Sequence, residues 1–456
     1  MTNTSKQHSQ VKHHVIEQGD YQLVFIGDIH GQHQKLLDLL KHIDFNYLDS
    51  GSSIEFMRLV FLGDLIDNKL EKNVDHLACL QLVKMLVDRG LAYCIMGNHE
   101  FNAIGWAEQN KNGLPLRDHS DNNYLQHRVF LSQIGENNKQ HKYWIEWFKT
   151  LPLFLDFGNI RAIHACWHQK SIENINPFLN QDNSLKITMF PEAFNPQSKL
   201  YQFIETLLKG PEIDLPEGAF FFDKTNTKRT KIRLRWWLKS FETYQQSAQV
   251  QISMKPKIPT LPMPTEISFD EITIPVVIGH YTLEHFPTKL SDKVVCVDYN
   301  AAKGENPLVA YTWYAQTLTN EGTYENLCHE NNFEFIMDDN QTITDGLDSL
   351  LQPIINSLPE TKMTPAYNLF LTQVSEWLWN EWDPIGINDN QECRDEYEGY
   401  VQIFAKLACH LSQAELSAYI SLICNYQLNI SIDKVETESI RLAYDLKRIA
   451  ESLHLK

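Results

Sequence analysis

Five short apolar runs, each stopping on polar residues, constrain this chain more than any other feature. They read YQLVFIGDIHG from Tyr21, RLVFLGDLID from Arg58, AYCIMGNHE from Ala92, IRAIHACW from Ile160 and IPVVIGHY from Ile274. The apolar residues within each run are continuous rather than alternating, the pattern of strands covered on both faces. Between the first three lie HQKLLDLLKHIDF and VDHLACLQLVKMLVDRG, both with helical apolar spacing. The second puts Leu77, Leu80, Leu82, Val83 and Leu86 on one side and Gly90 at a C-cap position. Strands alternating with amphipathic helices predict a layered α/β domain.

Polar residues gather where these strands end: Asp28 and His30, Asp64 and Asp67, Asn98 and His99, His164, and His280. In an extended strand, residues i and i+2 share a face, so Asp28 and His30 are expected to project together. A two-metal site accounts for all of these residues at once. Two cations about 3.5–4 Å apart need one bridging carboxylate with imidazole and oxygen ligands on either side. Asp64 is the candidate bridge, Asp28 and His30 complete one site, and Asn98, His164 and His280 form the other. Oxygen and imidazole ligands without thiolate fit two divalent ions of Mn, Fe or Zn.

In this order and spacing, GDIHG, GDLID, GNHE, the histidine of IHACW and GHY resemble the calcineurin-like metallophosphoesterases, in their phosphoprotein-phosphatase-like branch. GNHEFNAIGW, HACW, LLKGPEI, RWW and GHY also resemble a bacterial group of metallophosphoesterases. The resemblance spans roughly residues 21–318. It implies a layered sandwich with helices flanking central β-sheets. It also implies hydrolysis of phosphomonoesters by a dinuclear-metal-activated hydroxide, without a covalent intermediate. His99 would protonate the leaving oxygen and Asp67 would hold its imidazole. A Ser/Thr- or Tyr-type phosphoprotein phosphatase is the leading expectation; the alternatives are a dinucleoside polyphosphate or nucleotide hydrolase, or a catalytically weak phosphate-recognising protein.

One departure bears on substrate binding. The family pattern Gly-Asp-x-x-Asp-Arg-Gly places an arginine on the phosphate, whereas here Asn68 stands at that position and Lys69 follows. Asn offers no charged planar fork, and Lys only a point charge on a flexible stem. Lys69, Arg233 and Arg235 are the candidate replacements. Glu100 reads equally as support for the site or as a helix-start carboxylate. His119 and His127 are expected on the surface or in packing, and Cys166 in the core. Trp106, Trp167, Trp236 and Trp237 are expected in the core.

Bulk properties narrow the partners. The net charge of −18 argues against a duplex-binding surface. Eight scattered cysteines without a Cys-x-x-Cys pair fit reduced thiols. Residues 1–20 form a polar lead, expected to be disordered, with no apolar signal core, and no stretch reaches the length of a bilayer span. A cytoplasmic protein is expected, with export lacking a cleaved signal left open. Residues 319–456 hold 8 of the 40 Lys and Arg but 23 of the 58 Asp and Glu. Their helical spacing predicts an acidic, mainly helical accessory module that could take a protein partner. There, Trp377, Trp379 and Trp382 are expected to pack against the main domain. The segment 253–268, with four prolines, reads as a stiff surface loop.

Overall fold

The structure, a computed structural model, describes residues 13–17, 21–47, 56–67 and 74–222 and, with short interruptions, 227–336, 364–382, 398–420 and 432–455. The chain divides into two compact units, Met1–Asp338 and Asp339–Lys456.

The first unit is built on two five-stranded sheets. One runs in the order Phe333–Glu334, Ala310–Trp313, Gln22–Ile26, Met57–Phe61, Ala92–Cys94. The other runs Lys289–Ser291, Val294–Cys296, Val276–Ile278, Arg161–Ile163, Phe154–Asp156. The three strands from the first half of the chain pair in parallel, as do the three central strands of the second sheet. Their apolar residues are almost wholly enclosed, as the unbroken runs predicted: Leu23, Val24, Phe25, Ile26, Val60 and Phe61 are all 0% exposed. Helices His33–His42, His76–Asp88, Asn98–Ala107, Asp121–Ile134 and Lys139–Phe148 cover the strands. The second of them starts on an Asp75 side chain that accepts from Ala78 N, and ends just before Gly90, whose φ of +70° closes the turn.

The parallel register fixes where the loops go. Ile26 lies opposite Phe61, and Phe61 opposite Cys94. The chain therefore leaves three neighbouring strands at the same edge. In the second sheet Val277 lies opposite Ala162, so the segments after both strands also emerge side by side, and Gly279 N donates to His164 O. All the polar strand-end residues thus gather at carboxyl ends, where open α/β sheets place their sites.

Other expectations fare variously. Trp106, Trp167, Trp236 and Trp237 are buried in the main core, and six described cysteines are buried. Cys393 and Cys424 lie outside the described residues. The proline-rich segment is not simply a surface loop. Met254, Ile258 and Met263 pack with Leu215, Phe221, Ile232, Leu234 and Tyr244 in a small core of their own, because the prolines stiffen a chain that still carries apolar side chains between them.

The second unit is helical. Pro365–Trp377, Glu398–His410 and Ile432–Ser452 pack around Phe370, Val374, Phe404, Leu407 and Leu446. Trp377 and Trp379 are buried in that core, Trp377 with its ring 6.1 Å from that of Phe404; the side chain of Trp382 lies outside the described residues. No described helix is long and apolar enough to cross a membrane.

Candidate metal centre

The loops that leave the strands are held in unusual backbone conformations. The strand ends at Ile26, and His30 sits at φ +48°, Asp64 at +51°, Asp67 at +67° and His280 at +70°. Asp28 and His30 are therefore brought together by a tight turn, not by strand alternation as the sequence suggested. The turn is anchored on the neighbouring loop, where Asp64 O accepts from Ile29 N and His30 N at 3.1 and 2.9 Å. Gly63, at φ +86°, lies so near Gly97 that an added Cβ would fall 2.3 Å from its nitrogen. Only glycine allows these two backbones to meet.

Imidazoles converge on one carboxylate oxygen. Asp64 Oδ2 lies 3.4 Å from His164 Nε2, 3.8 Å from His99 Nε2 and 4.0 Å from His30 Nε2. His164 Nδ1 donates to Leu62 O at 2.6 Å and His30 Nδ1 to Ile66 O at 2.9 Å. A backbone carbonyl can only accept, so each Nδ1 carries a proton and each Nε2 is the ring atom turned inward. Asn98 Oδ1 lies 3.1 Å from His164 Nε2. The His280 amide donates to the Asp28 carboxylate at 3.1–3.2 Å, tying the two sheets together, and His280 Nε2 is buried without a hydrogen-bond partner among the described residues.

This donor set fits a pair of divalent cations. Burial, then Asp298 and Asp64, push the Asp28 carboxyl well above the usual range. Burial also opposes the charge on Asp64, but His164 and His99 outweigh it and hold Asp64 well below that range. Ligand atoms of His30, Asp64 and His99, and of Asp64, His164 and His280, lie within 4.8 Å of one another. Asp64 belongs to both groups, as a bridge must. Asp28 faces His280 rather than joining the first group, whereas His99 joins it.

Beside the centre, Asp67 holds two histidines. Its Oδ2 is 2.8 Å from His99 Nδ1 and its Oδ1 2.7 Å from His127 Nδ1. Burial disfavours a charged His99, yet Asp64 and then Asp67 lift it to about 9. His127 and His99 in turn hold Asp67 far down against its burial. His127 is fully buried and was not foreseen as part of the site. Its helix, Asp121–Ile134, carries it to Asp67 from far along the chain, and no local pattern announces such a meeting. His119 instead stacks on Trp106 at 3.7 Å.

Glu100 resolves into support for the site. Its carboxylate accepts from Asp64 N, Leu65 N and Gly97 N at 2.8–3.0 Å, with Ile66 N at 3.3 Å. Burial and the neighbouring Asp64 raise it to about 7. Cys166 is buried, and burial pushes its thiol well up, as befits core filler.

A cleft of about 650 Å³ opens onto Asp28, His30, Asp64, Asn98, His99 and His280. Arg233 lines it. Arg235 is not among the lining residues, and Lys69 lies outside the described residues. Two further cations, Arg117 and Lys209, line the cleft and were not foreseen as site residues, although Lys209 lies within the LLKGPEI motif. Phe101 and Phe194, stacked at 4.1 Å, form part of one wall.

Residues 21–213 match the family model described as calcineurin-like phosphoesterase. Over these residues the chain is similar to the calcineurin-like phosphoesterases. Its strands supply Asp28 through His164, while His280 enters from beyond the matched stretch. The chain is 31% identical over 141 residues to a bis(5'-nucleosyl)-tetraphosphatase of Oceanobacillus iheyensis, covering 31% of this chain and 53% of that protein. It thus spans about half the length of this curated relative. Among solved structures, it is similar to a cold-active protein-tyrosine phosphatase of a Shewanella species, with a TM-score of 0.38, 16% identity and coverage of 69% of this chain and 83% of that one. It is also similar to a Saccharomyces cerevisiae protein serine/threonine phosphatase, with a TM-score of 0.35, 13% identity and coverage of 71% and 82%.

Proposed function

We propose that this protein hydrolyses phosphoesters at a pair of divalent cations, with phosphomonoesters as the principal substrates. The observation that carries this reading is the convergence of inward-facing Nε2 atoms on one oxygen of Asp64, with the His30 and His164 tautomers fixed by backbone carbonyls. Asp28, His30 and Asp64 would hold one ion, and Asp64, Asn98, His164 and His280 the other. Mn, Fe and Zn suit these donors. When bound, such a pair supplies Lewis acidity toward a phosphoryl oxygen and acidifies water.

The protein's own residues do the rest. His99 is the proton donor to the leaving oxygen, and Asp67 stabilises its charged form and orients the ring through Nδ1. His127 braces the far oxygen of the same carboxylate. Arg233, at the rim of the cleft, offers a cation to the substrate. On this reading the first unit, through strand Phe333–Glu334, forms the catalytic part and the helical second unit an accessory module, a boundary later than the residue 318 expected from sequence.

A phosphorylated protein is the first substrate class in view. Hydrolysis of a dinucleoside polyphosphate is the second reading, favoured by the Phe101–Phe194 wall, on which a base could stack, and by the name of the Oceanobacillus relative. The test is turnover of the purified protein, stripped and reloaded with Mn, on an aryl phosphate, a phosphopeptide pool and a dinucleoside tetraphosphate. Asp64→Asn is expected to lose bound metal and all turnover together. Turnover that survives in Asp64→Asn, or metal-loaded wild type inert on all three, would overturn the reading.

A further inference from the structure

Three cations line the cleft, and they differ in how their charge is spent. Lys209 Nζ pairs with Glu205 at 2.5 Å, and Arg233 Nη2 with Glu212 at 3.3 Å. Arg117 makes no ion pair with a carboxylate among the described residues. Two neutral amides hold it instead: its Nη2 donates to Asn123 Oδ1 and to Gln126 Oε1, both at 2.9 Å. Asn123 cannot turn its amide around freely, because its Nδ2 donates to Asp118 O at 2.7 Å. The guanidinium is thus fixed in place by neutral amides, with Asp67 and Glu205 acting on its charge only from beyond ion-pair distance.

Its base is equally fixed. Arg117 N donates to Gly105 O at 2.8 Å, and an added Cβ on Gly105 would lie 3.0 Å from Arg117 Cβ. The arginine therefore rests directly on helix Asn98–Ala107, which begins with two residues of the centre. Arg117 Nη1 is buried with no hydrogen-bond partner among the described residues. An enclosed donor without an acceptor costs stability, so the arrangement is poorly explained by folding alone. A planar cation held by neutral oxygens beside a reaction centre suits a tetrahedral oxyanion, which it can grip with two parallel N–H groups.

We propose that Arg117 is the residue that grips the substrate's phosphoryl oxygens, in place of the arginine missing at Asn68. The inference rests on the phosphoester reading of the same centre. Arg117 reaches the cleft from the segment after helix Asn98–Ala107 instead of from the loop after Asp67. The clamp is thereby moved to another element of the fold, with its geometry set by Asn123 and Gln126.

The experiment uses the Mn-reloaded full chain as wild type, Arg117→Ala and Arg117→Lys, with metal content and melting temperature recorded for each. Affinity for inorganic phosphate is measured by calorimetry, and kcat and KM on an aryl phosphate with and without added guanidinium. The expected result is a loss in Arg117→Ala of about tenfold or more in phosphate affinity and about a hundredfold in kcat/KM. Metal content is expected to stay unchanged, and guanidinium to restore part of the turnover. Arg117→Lys should recover only a minor part, because it lacks the fork. Phosphate affinity within twofold of wild type in both variants would overturn the proposal. So would a loss that tracks a lowered melting temperature and ignores guanidinium, which would make Arg117 a brace. If wild type turns over nothing, the phosphoester reading fails separately, while the ratio of phosphate affinities still decides for or against Arg117.

Discussion

The strand-end loops of the first unit and the helices of the second obey local rules to different degrees. All nine described non-glycine residues with positive φ lie in the first unit, and His30, Asp64, Asp67 and His280 are among them. Such conformations cost on the order of 1 kcal/mol or more each, although Asp, Asn and His bear them best. The described helices of residues 364–455 show none, and they bury a plain apolar core around Phe370, Phe404 and Leu446. Left-handed backbone and buried charge concentrate where chemistry is proposed, whereas the described part of the second unit departs from regular geometry only in the π-helical turn Leu378–Trp382 and in the buried Trp377 Nε1 and Ser439 Oγ.

That contrast can be broken or sharpened by mutation. The largest effect after loss of Asp64 is expected in His99→Ala, which should keep bound metal but lose turnover by about 10²–10⁴-fold. Loss of metal in step with activity, read by elemental analysis, would instead make His99 a ligand, as its place beside His30 and Asp64 allows. Phe370→Ala, in the helical core, is expected to cost about 3–5 kcal/mol of stability and leave kcat/KM unchanged. A matching loss of turnover in protein kept folded would erase the distinction between the regions.

A smaller effect depends on pH. Burial lowers His76 to about 4, against a helping hydrogen bond from Gln133. The unfolded chain therefore binds a proton below about pH 6.5 that the folded chain refuses. Stability contributed by neutral His76 is complete above that pH, falls as pH drops from 6.5 toward 4, and levels off below. The total is about 3 kcal/mol at most. Urea midpoints between pH 7 and 4.5 should fall less steeply in His76→Gln, and parallel curves would refute the assignment. Least of all, His127→Ala should lower kcat about tenfold while leaving KM and metal content alone, since it acts on His99 only through Asp67. A change in KM as large as that in kcat would place His127 against the substrate.

Much of the fold was legible because its strands are fully enclosed and therefore uninterrupted in sequence. Asp28, Asp64, Asn98, His164 and His280 stood out because each breaks such a run. The physical reason given for the Asp28 and His30 pair was nonetheless wrong, since the strand stops at Ile26 and a left-handed turn does the aiming. His127 and Arg117 were illegible for another reason. Each reaches the centre from helix packing across 60 and 50 residues of chain from Asp67, where no short-range pattern operates. The proline-rich segment misled because stiffness was equated with exposure, while Ile258 and Met263 between the prolines are buried.

The position of the first strand has a consequence for biosynthesis. Gln22–Ile26 lies in mid-sheet, flanked by Met57–Phe61 on one side and, antiparallel, by Ala310–Trp313 on the other. As the chain leaves the ribosome, this strand keeps an open edge of unpaired N–H and C=O groups until Ala310–Trp313 has emerged. His280 joins the centre only shortly before that. For the whole interval between the synthesis of Ile26 and that of Ala310, a nascent edge strand must be kept from pairing with its neighbours.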